Sequence, residues 1–111
     1  MTKLSNSKAS DIIKEHYSSQ PNSSFARFSI DLIETVEFAL GGQPTVSEVK
    51  SIIIDRRELA KLSAKTNSIR IKSKIESFLD MDSEFYDRMI AEPRVVLSQN
   101  QIVKRISRAC L

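Results

Sequence analysis

The chain has 111 residues, 41% of them hydrophobic and 28% charged, with 17 basic against 14 acidic side chains and a formal charge of +3. That length bounds a single domain, and the apolar fraction is that of a folding chain rather than a disordered one. Two glycines, three prolines and one cysteine exclude a turn-rich β-sandwich and an internal disulfide, and no apolar run approaches a membrane span.

After a Ser-, Asn- and Lys-rich start at 1–9, Ser10 is the candidate N-cap of a short helix carrying Ile12, Ile13 and Tyr17, which Pro21 ends. Between Phe25 and Leu40 the residues Phe25, Phe28, Leu32, Val36, Ala39 and Leu40 recur every three or four positions, and Ile30, Ile33 and Phe38 widen that face. A helix apolar over so much of its circumference belongs at the centre of the molecule or at a dimer interface. GGQP at 41–44 stops it, with Gly41 in a left-handed conformation and Pro44 unable to continue.

Thr45-Val46-Ser47-Glu48 reads as a capping box. The helix it opens runs on through RRELAKLSAK, with Val46, Val49, Ile52, Ile53, Leu59 and Ala60 inward and Arg56, Arg57 and Lys61 outward. The β-branched run Ser51-Ile52-Ile53-Ile54 also fits a strand, but the good helix formers after it favour a helix. Thr66-Asn67-Ser68 is a turn or helix start. Beyond it Ile69 and Ile71 alternate with Arg70 and Lys72, which leaves a short strand at 68–75 open. The spacing of Ile71, Ile75, Phe78, Leu79, Met89 and Ile90 predicts a helix from about 70 to 91, with a break at Asp80-Met81-Asp82-Ser83. Pro93 ends that segment, and Arg94-Val95-Val96-Leu97 reads as extended. Ser98-Gln99-Asn100-Gln101 reads as a second capping box, opening a tail helix with Ile102, Val103, Ile106 and Cys110 on one side.

These elements predict an all-α fold of four to five short helices, orthogonal or bundle-like and completed by dimerisation, in one helical domain over 10–111 behind a flexible start. The opening is too polar for a secretory core and the lone cysteine fits a reducing compartment, so a cytoplasmic protein without membrane contact is expected.

Charge is unevenly spread. Residues 1–55 carry five basic and seven acidic side chains, a net of −2, and residues 56–111 carry twelve and seven, a net of +5. The densest stretch is 56–74, where Arg56, Arg57, Lys61, Lys65, Arg70, Lys72 and Lys74 face only Glu58, a local +6. An acidic block of Glu76, Asp80, Asp82, Glu84, Asp87 and Glu92 separates it from Arg94, Lys104, Arg105 and Arg108. Two basic regions converging on one polyanion would give phosphate contact without sequence reading, and Asn67, Ser68 and Arg70 stand where a helix-turn-helix presents side chains to base edges. The motif's turn glycine is missing, and the alternatives are a solvated face, stabilisation of helix ends, or a grip on an acidic protein.

Enzyme chemistry has little to work with. His16 has no nucleophile or metal partner at useful spacing, Gly41-Gly42 lacks the lysine and third glycine of a nucleotide loop, and Asp80-Met81-Asp82-Ser83-Glu84 lacks the glycine of a calcium loop. No cofactor or metal is expected. A second class of function is a non-enzymatic adaptor, chaperone or antitoxin-like protein that uses the apolar surface around Phe25, Phe28, Leu32 and Val36.

Asp11-Ile12-Ile13-Lys14, the run Asn22, Ser24, Phe25, the helix to Phe38-Ala39-Leu40-Gly41, and Leu59-Ala60-Lys61-Leu62-Ser63 followed by Thr66-Asn67-Ser68-Ile69 together resemble the FlhD family, the D subunits of the bacterial flagellar master transcription activator. The likeness covers roughly residues 11–75. It implies a helical homodimer that joins a second, C-type regulatory subunit and activates transcription with DNA contact shared between them. Carried over, it puts Asn22, Ser24 and Phe25 on the dimer helix, and Lys61, Thr66 and Asn67 nearest DNA or partner. Ile69-Arg70-Ile71-Lys72 replaces an aromatic, cysteine-bearing stretch of that family, the segment between Phe25 and Gly41 is shorter, and the C-terminal tail departs from the pattern.

Overall fold

Six α-helices follow one another in the computed structural model, which describes residues 8–19 and 25–110, with side chains at 8–19 and 25–99. They are α1 (Ala9–Ser18), α2 (Ala26–Leu40), α3 (Val46–Ile53), α4 (Arg56–Lys65), α5 (Ile69–Leu79) and α6 (Ser83–Cys110). No strand occurs among the described residues, so the alternative at 68–75 resolves as helix. The Ser68 hydroxyl accepts from the Ile71 amide at 3.3 Å and starts α5, putting Ile71, Ile75 and Phe78 on one inward face.

Four of the predicted boundaries shift, each for a local reason. The single helix read over 45–65 is two, because the Asp55 carboxylate accepts from the Arg57 amide at 3.0 Å and starts a new helix after the Ile54 turn. Ser10 is not a cap: α1 begins at Ala9, and Glu37 of α2 accepts from the Ser10 amide at 3.1 Å instead. Pro93 does not end its helix. Its missing N–H would orphan the Met89 carbonyl, but the buried Ser29 hydroxyl of α2 donates to that oxygen at 2.9 Å. Ser98 then donates back to the Arg94 carbonyl at 2.7 Å rather than forming a second capping box. The break read at 80–83 is present, and with the unforeseen split at 54–55 and the merger across Pro93 the helices number six rather than four to five.

Other expectations hold. Thr45 and Glu48 form the reciprocal capping box, at 3.1 and 2.9 Å. Gly41 and Gly42 both adopt positive φ, 71° and 62°, a turn that a side chain would strain, although the ψ of 169° at Gly41 differs from the expected left-handed helical cap.

The core is shared by all six helices: Ile13 and Tyr17 of α1, Leu32 and Val36 of α2, Ile53 of α3, Leu59 of α4, Ile75 of α5 and Met89 of α6 are each buried. Leu32 and Val36, expected at a dimer surface, are 1% and 0% exposed and belong to this core. Ala60 and Phe38, read as inward, are exposed, Phe38 at 75%. Burial of Ile13 and Tyr17 at roughly 1.5–3 kcal/mol per side chain outweighs the half-exposed His16–Glu92 pair, worth about 1 kcal/mol or less, so α1 is held mainly by apolar contact.

Candidate nucleic-acid interface

The basic stretch 56–74 spans all of α4 and the first half of α5, two consecutive helices that lie against each other. Leu59, Leu62 and Ser63 face inward, leaving Arg57, Ala60, Lys61, Ala64 and Lys65 on the outer side of α4. On α5 the inward line of Ile71, Ile75 and Phe78 leaves Ile69, Ser73 and Glu76 as an exposed ridge. At 100° per residue Arg70 and Lys72 fall on either flank of that ridge. Thr66, Asn67 and Ser68 join the two helices, and Asn67 is exposed at the tip.

The seven cations of this stretch have different fates. Arg56 is turned inward: its guanidinium donates to the Met81 carbonyl at 2.8 Å and to the Leu79 carbonyl, and lies 4.9 Å over the Tyr86 ring. Tyr86 is buried and donates to the Ile53 carbonyl at the end of α3 at 2.6 Å. Burial pushes the Tyr86 phenol far above its ordinary range, against the opposing pull of Arg56. Arg56 therefore ties the α3–α4 corner to the α5–α6 corner, and its charge serves the fold.

Lys74 pairs with Asp31 of α2 at 2.8 Å, linking α5 to the central helix. Arg57 pairs with Asp55 at 3.3 Å, and Lys61 with Glu58 at 3.1 Å. Those two contacts are local and solvent-facing, the Arg57 side chain being 88% exposed. Such pairs are worth about 0–1 kcal/mol, too little to hold either cation away from a polyanion. Lys65, Arg70 and Lys72 are exposed and make no ion pair among the described residues. Together with Asn67 they surround the α4–α5 turn.

Ile69 is the feature that spacing alone missed. At 85% exposure it is the barest large hydrophobic side chain among the described residues, set between Lys65, Arg70 and Lys72. Its offset from the Ile71, Ile75 and Phe78 line was the available signal. Lys104, Arg105 and Arg108 lie along the far part of α6, and their side chains are outside the described residues, as are Asn22 and Ser24 entirely. Phe25 and Phe28 sit with Phe85 of α6 in an aromatic cluster, ring centroids 5.4 and 6.0 Å from Phe85.

Elsewhere several of the polar groups are held within the fold. An open cleft of about 510 Å³ lies beside α1 and the end of α2, but Lys14 pairs with Glu34 at 2.7 Å there and Glu37 holds the Ser10 amide. His16 meets Glu92, and Asp82 caps α6 by accepting from the Glu84 and Phe85 amides. Among the described residues no three His, Cys, Asp or Glu side chains gather as metal ligands, and no helix is long and apolar enough to cross a membrane.

No family model, curated protein or solved structure matches the chain.

Proposed function

We propose that the protein is a non-enzymatic, helical transcriptional regulator or regulator subunit that binds duplex DNA through the α4–turn–α5 corner. The observation that carries this reading is the exposed set Lys65, Asn67, Ile69, Arg70 and Lys72 around one turn, with three cations to which no carboxylate is paired among the described residues. Lys65 and Lys72 supply phosphate contacts, with Arg57 and Lys61 extending the track along α4. Asn67 and Arg70 have the donors to address base edges. A single-stranded ligand fits less well, because the one aromatic residue between positions 56 and 79 is Phe78, and it is buried, so no base can stack there. The resemblance to the D subunits adds a homodimer and a second regulatory subunit to this reading.

The exposed Ile69 among cations also suits an acidic protein partner, and this favours the adaptor reading as the second one. Fluorescence anisotropy with a mixed-sequence duplex and with poly-glutamate at low salt separates the two. Preference for the duplex, weakened alike on all sequences by Lys65→Ala and Arg70→Ala, supports the regulator. Equal or tighter binding of poly-glutamate, or no duplex binding, contradicts it.

A further inference from the structure

One face of α6 is committed to the monomer, since Tyr86, Met89, Ile90, Pro93 and Leu97 are buried. The other face is open. Phe85, Arg88, Glu92 and Val95 follow at steps of three, four and three, the a/d spacing of a two-helix seam. Phe85 is 38% and Val95 52% exposed, Arg88 is exposed, and the Glu92 side chain is 43% exposed. Phe28 of α2, 42% exposed, meets the Phe85 ring edge-on and widens the apolar end of the strip.

We propose that a second copy of this chain docks on this strip, the two α6 helices running antiparallel about a two-fold axis near residue 90. In that register Phe85 faces the partner's Val95 and Arg88 faces the partner's Glu92, and each contact occurs twice by symmetry. The charges select the direction. An in-register parallel pair would set Arg88 against the partner's Arg88 and Glu92 against the partner's Glu92, repulsive at both polar layers. The antiparallel pair turns both layers attractive and brackets them with apolar ones. Glu92 can serve two partners, because one carboxylate oxygen, Oε2, meets His16 and the other remains for the incoming arginine. Exposed Ala91 beside the axis lets the backbones approach.

The test is the mass of the full chain by sedimentation equilibrium across the micromolar range, which the pairing predicts to be that of a dimer. Arg88→Glu and Glu92→Arg each turn two attractive contacts repulsive and weaken the dimer by about tenfold or more. Mixing the two variants restores association, because each copy then offers the charge that the other needs. Val95→Glu, at an exposed position outside the core, weakens the dimer independently and covers the case in which Glu92→Arg perturbs folding through His16. A monomer at every concentration overturns the proposal. So does a dimer indifferent to Arg88→Glu and Val95→Glu, or a mixture that associates no better than either variant when both are folded by circular dichroism.

Discussion

Arg56 and Arg70 lie fourteen positions apart in one basic run, and in the sequence they look alike. In the folded chain Arg56 lies over a buried tyrosine and donates to two backbone carbonyls, whereas Arg70 stands in solvent without an ion pair among the described residues. The difference comes from where the helix that carries each one begins. The start of α4, at Arg56, abuts the α5–α6 turn, where two carbonyls at a helix end need donors. The start of α5, beside Arg70, faces outward. Local charge density therefore overstates the charge a ligand meets: of seven cations Arg56 is spent on the fold, Lys74 ties two helices, and the remaining five point outward.

The sharpest way to break this contrast is Arg56→Ala. It should cost about 2–4 kcal/mol in denaturant unfolding, because it strips charged donors from half-buried carbonyls, while leaving the salt dependence of DNA binding by the folded fraction unchanged. Tyr86→Phe tests the other half of the same knot and should cost about 1–2 kcal/mol through the Ile53 carbonyl it leaves unpaired. Ser29→Ala should cost a similar ~1–2 kcal/mol, since the Met89 carbonyl then has neither a helical nor a side-chain donor. At the opposite corner, Lys65→Ala and Arg70→Ala should each change stability by less than about 0.5 kcal/mol and act on affinity alone.

The smallest effect is a pH dependence in the two caps that frame this region. Glu48 and Asp55 are held below the usual carboxylate range, Glu48 by the Thr45 amide and Asp55 by the Arg57 amide. A depressed carboxyl contributes its stability at neutral pH and loses it as pH falls through that lowered range. Helicity followed by circular dichroism should therefore decline on strong acidification, and Glu48→Gln should flatten part of that decline.

Much of the fold was legible in the residues. Periodicity located α2, the inward line of α5 and Leu59 on α4, although it turned Ala60 inward and passed over Leu62, and the Thr45–Glu48 box and Ser68 marked helix starts. What was not legible depended on partners far away in sequence. Pro93 reads as a helix end until Ser29, sixty positions earlier, replaces its missing N–H. Ser10 reads as a cap until Glu37 takes its amide, and Arg56 reads as a ligand contact until Leu79 and Met81 claim it. The same holds for Leu32 and Val36, whose spacing says apolar face but not whether a neighbouring helix or a second copy covers it. The candidate site was half legible: its cations and turn could be named, but not which of them would point away from the core, nor that Ile69 would stand exposed among them.

The most direct measurement is the slope of log affinity for a duplex against log salt, for the wild-type chain and for the Lys65→Ala, Arg70→Ala, Lys72→Ala triple variant. If the α4–α5 corner carries the phosphate contacts, the slope falls by about 2–3 units with unfolding unchanged. An unchanged slope, or a wild-type chain with no duplex affinity at low salt, contradicts the account.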